Sequence, residues 1–149
     1  TFGKNVASGL TTGVRKFTNA GDFNAVNGTV HFDGTFVQTA GNTSLNLTGA
    51  IETSGTLQFQ GGSLIGNRTI TGNVANTGAT VRPGDGNTET LTITGSYTQS
   101  GAGTLAAKIG GTGAGKFDVL WVGGPAPLGG KETGGGRGVK GGRLRGGPA

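Results

Sequence analysis

Between Gly34 and Ile109, short runs with apolar residues two positions apart alternate almost without interruption with glycine- and asparagine-rich turns. Thr35-Phe36-Val37-Gln38, Ser44-Leu45-Asn46-Leu47, Thr56-Leu57-Gln58-Phe59, Thr69-Ile70-Thr71 and Thr90-Leu91-Thr92-Ile93-Thr94 each carry that alternation. It is the periodicity of a strand with one apolar and one wet face. The breaks, such as Thr39-Ala40-Gly41-Asn42, Gly61-Gly62, Asn76-Thr77-Gly78 and Pro83-Gly84-Asp85-Gly86-Asn87, supply positive φ or preset turns. Strands this short bury nothing by themselves, so they must stack.

An internal repeat says how. Phe36-Val37-Gln38-Thr39, followed by Gly41 and Leu45, matches Tyr97-Thr98-Gln99-Ser100, followed by Gly101 and Leu105. Phe17-Thr18-Asn19-Ala20-Gly21 matches Phe36 through Gly41 at a shorter offset of about 20. Glycines fall at 21, 41, 61 and 101, with Val81 interrupting the series. A period near 20 with several strands per period predicts an all-β solenoid, its coils pairing in parallel about 4.8 Å apart. Leu45, Leu47, Leu57, Phe59, Ile70, Leu91, Ile93, Leu105 and Ile109 are expected to point inward.

Composition agrees with that economy. Hydrophobic content of 32% and aromatic content of 6% are thin for a compact globule of 149 residues, whereas each solenoid coil buries only a few side chains. With no cysteine, a disulfide framework and a thiolate metal site are both excluded. No apolar run reaches the length of a membrane-spanning helix. The chain opens at Thr1 without an initiator Met, and Thr1 to Lys16 lacks the apolar core of a signal peptide, so it reads as an internal piece. Residues 1–130 are nearly balanced in charge, while 131–149 carry Lys131, Arg137, Lys140, Arg143 and Arg145 against Glu132. That glycine- and arginine-rich stretch has no apolar alternation and is expected to be disordered, leaving residues 1–130 as the solenoid.

Asn73-Val74-Ala75-Asn76-Thr77-Gly78 through Pro83-Gly84, then Leu91 to Gln99 and Gly103-Thr104-Leu105, resembles the repeat-bearing passenger region of bacterial autotransporters and related surface adhesins. Ile109-Gly110-Gly111-Thr112 followed by Phe117-Asp118-Val119-Leu120-Trp121-Val122 continues the resemblance, which covers roughly residues 30–130. It implies a right-handed parallel β-helix, exported to the cell surface or secreted, with a structural or adhesive role and no catalysis. Implied partners are a glycan or protein on a host or neighbouring cell, and the outer membrane through a C-terminal barrel not contained in this sequence. After Leu128-Gly129-Gly130 the chain departs from the pattern, and Pro125 and Pro127 occupy a strand-like stretch. The solenoid is expected to be truncated there by an out-of-frame continuation. Phe117, Val119 and Trp121 on one face and Leu120 and Val122 on the other predict a strand covered on both sides.

Apparent chemical motifs carry little. Gly110 to Lys116 spells most of a phosphate-binding loop, but Phe117 stands where a Ser or Thr would hold magnesium, and a strand follows where a helix is required. Gly136 to Gly141 matches a dinucleotide fingerprint with no strand before it. The sequons at Asn27, Asn42, Asn46 and Asn67 follow from composition. His31, the sole histidine, alternates to the face opposite Val30 and Phe32 and reads as a solvated strand residue. Asp33 and Glu52, about one coil apart, can stack as paired carboxylates, which makes a glycan-cleaving β-helix the first alternative. Asp118 reads as structural. The second alternative is polyanion binding through the basic tail, without sequence-specific nucleic-acid recognition, since no aromatics interleave the arginines. No catalytic, cofactor or metal residue is assigned.

Overall fold

The computed structural model describes residues 10–12, 16–129, 131–135 and 144–146. Fourteen strands follow in order: β1 (Leu10–Thr12), β2 (Lys16–Asn19), β3 (Phe23–Phe32), β4 (Thr35–Gln38), β5 (Asn42–Phe59), β6 (Ser63–Gly66), β7 (Thr69–Asn76), β8 (Thr80–Pro83), β9 (Thr90–Ile93), β10 (Tyr97–Gln99), β11 (Thr104–Lys108), β12 (Val119–Val122), β13 (Lys131–Gly135) and β14 (Leu144–Gly146). All pair in parallel, and the described residues contain no helix. The chain is a β-solenoid of about four turns with roughly 21 residues per turn.

The pairings sort into three ladders. In the first, Phe17 lies beside Phe36, then Leu57, Val74 and Tyr97. In the second, Thr43 lies beside Leu64, then Val81 and Leu105. In the third, Val30 lies beside Ile51, then Ile70, Ile93 and Val122. The 18-residue β5 bends through all three faces. Inward residues of the ladders form one apolar column, in which Leu45, Ile51, Leu57, Phe59, Leu64, Ile70, Val81, Leu91, Ile93 and Tyr97 are fully buried. Toward the N-terminal end the column is aromatic: Phe17, Phe23, Phe32 and Phe36 pack with ring centroids 5.0–6.4 Å apart.

The repeat read from the sequence is structural, since Phe17, Phe36 and Tyr97 occupy the same position on the first ladder. Its second half slips, however: Leu105 stacks over Val81, Leu64 and Thr43 rather than in the column of Leu45. The turn glycines in register are Gly21, Gly41 and Gly62, and it is Ala79 that takes the glycine position on the next coil. At Gly62 nothing larger fits, because φ is +75° and a Cβ would overlap the carbonyl of Gly41.

Two expected core residues are not in the core. Leu47 is 60% exposed, and Ile109 is only partly buried beside Phe117 at the base of a loop. The reason at Leu47 is an extra residue: Asn46 and Leu47 stand opposite the single Val26, and this bulge turns Leu47 out with φ +52°. The strand expected from Phe117 begins instead at Val119, and its outward face is open, with Trp121 40% exposed.

The ladders run on past the two prolines. The carbonyls of Pro125 and Pro127 accept hydrogen bonds from the Tyr97 and Gln99 amides (3.0 and 3.1 Å), so residues without a donor still serve as acceptors. Within 131–149, Lys131–Gly135 pairs with β11 and Leu144–Gly146 with β12, and the remaining residues of that stretch lie outside the described ones.

Candidate functional site

A solenoid of this kind has three corners per turn, and its chemistry depends on what each corner exposes. The first corner, between the first and second ladders, is closed by buried amides. Asn19 grips its own turn through Nδ2 to the Gly21 carbonyl (2.7 Å) and the Gly21 amide to Oδ1 (3.2 Å). Gln38 Nε2 reaches the carbonyls of Gly41, Gly61 and Ser63 at 3.1–3.2 Å, while its Oε1 accepts from the Thr43 hydroxyl. Asn76 Oδ1 accepts from the Ala79 amide (2.9 Å), and its Nδ2 donates to the Tyr97 hydroxyl (3.2 Å). That hydroxyl donates in turn to Gln99 Oε1 (2.6 Å). Burial pushes the Tyr97 phenol from 10.0 up to about 12, with the Asn76 contact opposing it. The turn backbone of this corner is thus bonded from within by buried amides.

The third ladder's outward face carries the acids singled out from sequence. Register places Glu52 level with His31, not with Asp33. His31 therefore stands between the two carboxylates, with Nε2 3.0 Å from Asp33 Oδ1 and Nδ1 3.5 Å from Glu52 Oε2. The spacing of Asp33 and Glu52 predicts direct stacking, and the imidazole replaces it. The reading of His31 as merely solvated also missed this bridge, which the alternation His31-Phe32-Asp33 could have suggested. Both carboxylates are about half exposed, so the cluster stabilises the coil contact little.

The second corner, between the second and third ladders, changes on every coil. It consists of Val26, then Asn46-Leu47, then Asn67-Arg68, then Gly84 to Glu89, then Ile109 to Asp118. Where the small corners meet the first long loop, they leave a concavity of about 310 Å³ lined by Asn46, Leu47, Asn67, Arg68, Asp85, Gly86, Asn87 and Glu89. Glu89 anchors the loop, accepting from Asn67 Nδ2 (2.7 Å) and from the Asp85 amide (3.0 Å). Asn67 Oδ1 is buried without a hydrogen-bond partner. From sequence, Asn46 and Asn67 stood out only as sequons, Leu47 as an inward residue and Asp85-Gly86-Asn87 as a turn, none of them as part of a binding site. Their common corner emerges only once the register is known.

The glycine-rich run Gly110 to Lys116 forms the widest loop of this corner. Its base is closed by the Gly110 amide to the Lys116 carbonyl (2.6 Å). Asp118, buried, ties the loop to its neighbours, accepting from the Glu89 amide (3.0 Å) and the Lys108 amide (2.8 Å). The structural reading of Asp118 thus acquires its partners, and a strand, not a phosphate-binding helix, follows the loop. Among the described residues no group of three or more His, Cys, Asp and Glu is placed to hold a metal.

The chain matches no protein-family model, no curated protein and no solved structure.

Proposed function

We propose that the chain is a structural or adhesive segment of an exported bacterial surface passenger, displayed on the cell surface or secreted, and that it performs no catalysis. The observation that carries this reading is the outward side of the third ladder, where Thr69 lies beside Thr92 and Thr92 beside the exposed Trp121, while Thr71 lies beside Glu52 and Glu52 beside His31, all on parallel strands in register. A mostly polar outward face on stacked parallel strands makes a stiff, wettable rod suited to carrying a contact surface, here with one exposed tryptophan on it. Asp33 and Glu52 support the non-catalytic reading, since they are joined through His31 on an exposed face instead of flanking a gap where a glycosidic bond could sit. The partner is a glycan or protein of a host or neighbouring cell, reached without any nucleic-acid code.

Antibodies raised against the folded chain test this on intact cells that produce it. The expected result is surface labelling, or recovery of the antigen in the medium, that external protease removes. Labelling confined to permeabilised cells contradicts the proposal.

A further inference from the structure

We propose that the concavity on the second corner binds a short neutral saccharide. Its volume, about 310 Å³, is at the lower end of ligand sites, which suits one or two sugar rings better than a larger guest. The side chains of Asn46, Arg68, Asp85 and Asn87 line it and make no hydrogen bond within the described chain. Together they offer donors and acceptors at close quarters, and a sugar hydroxyl is both donor and acceptor. Leu47 adds the apolar contact that the C–H face of a sugar ring needs. It is held 60% exposed by a backbone at φ +52°, a conformation that costs a leucine energy and that glycine would adopt freely. Strain that places an apolar side chain at the rim of a polar concavity is the kind retained at binding sites. Beside it, Asn67 Oδ1 is a buried acceptor without a donor, so this corner is incompletely satisfied by the chain itself.

Other small guests fit less well. An anion meets the carboxylates of Asp85 and Glu89 with only Arg68 opposing them. A hard divalent cation needs a shell of six or more oxygens, but both oxygens of Glu89 are already engaged by Asn67 and the Asp85 amide, leaving Asp85 as the single carboxylate of the concavity with free oxygens. The inference deepens the surface-passenger reading by giving its glycan partner a place on this corner, and the two are tested apart, because sugar binding in solution does not depend on the compartment in which the chain is displayed.

Titration of the ¹⁵N-labelled 149-residue chain with maltotriose, cellotriose and triacetylchitotriose, each to about 10 mM, tests it by NMR, since a single shallow site is expected to half-saturate near 1 mM. With at least one sugar, the side-chain amides of Asn46 and Asn87 and the backbone of Gly86 should shift and saturate. The double variant Arg68→Ala/Asn87→Ala should weaken binding about tenfold or more with an unchanged melting temperature. Leu47→Gly should weaken binding while raising the melting temperature, which a purely structural role for Leu47 would not produce. Absence of saturating shifts with all the sugars overturns the proposal. So do shifts that the double variant leaves intact, or a response of residues 85–89 to calcium chloride in place of the sugars.

Discussion

At the first corner, four of the five described strands of the ladder end on a buried amide, Asn19, Gln38, Asn76 or Gln99, and the fifth ends on Phe59, whose turn carbonyls Gln38 of the preceding coil holds, whereas at the second corner asparagines recur on loops of unequal length that grow from Val26 alone to Ile109 through Asp118. The two corners are built from the same ladders and differ in how the turn backbone is satisfied. Where an inward Asn or Gln bonds the turn's amides and carbonyls, the turn can sit tight against the core, and its length is held by that geometry. Where the turn faces water, its backbone needs no such partner, and insertions cost only slowly growing loop entropy. The rigid corner thus keeps the coils in register, and the permissive one is where side chains are free to meet a ligand.

The largest expected break in this comparison comes from alanine at a glycine of each corner. Gly62→Ala forces a Cβ into the Gly41 carbonyl at a positive φ and should destabilise the fold by about 3 kcal/mol or more. Gly113→Ala, on the open loop, meets nothing closer than 3.8 Å and should be neutral within about 0.5 kcal/mol. Equal effects in chemical denaturation would erase the distinction between the corners.

Next in size is the alkaline limb of stability. The folded-state pKa of Tyr97 is raised, from 10.0 to about 12, so its contribution is fully present below pH 10. As pH rises from 10 to about 12 the unfolded phenol ionises while the buried one keeps its proton, and about 2–3 kcal/mol should be lost across that window. Tyr97→Phe should flatten this part of the profile, and an unchanged slope in the variant would show that the loss arises elsewhere. Gln38→Leu should cost about 2 kcal/mol, because it strips a donor from the carbonyls of Gly41, Gly61 and Ser63 and an acceptor from Thr43. The smallest effect runs the other way. Leu47→Gly removes the strain of φ +52° and should stabilise by about 1 kcal/mol, readable as a rise in melting temperature.

The same contrast explains what could be read from the sequence. The first corner announced itself because one device recurs there: an aromatic, then Asn or Gln two residues on, then a glycine, as in Phe17-Thr18-Asn19 and Phe36-Val37-Gln38. Strand alternation likewise located Leu57, Phe59, Ile70, Leu91 and Ile93 in the core. Alternation failed at Leu47 because a bulge inserts a residue and reverses the facing, and no residue preference marks that bulge. The candidate site was hidden for a related reason. Asn46, Arg68 and Asp85 are separated by unequal spacings, since each coil's second corner has its own length, and only the register brings them to one edge. His31 and Glu52 were an intermediate case, one coil apart as the period requires but needing the register to show that the imidazole, not Asp33, faces Glu52.

Native-state hydrogen exchange tests the two-corner account most directly, because it reads the backbone of both corners in one experiment. The amides of Thr39, Gln60, Thr77 and Ser100 donate to carbonyls of the preceding coil at 2.8–3.0 Å and should exchange only through opening of the solenoid. Amides of Gly86, Asn87 and Gly111 to Gly115 should exchange at nearly the rate of an open chain. Comparable protection at the two corners, or fast exchange at Thr39 and Gln60, would contradict the claim that one corner holds the register while the other is free to vary.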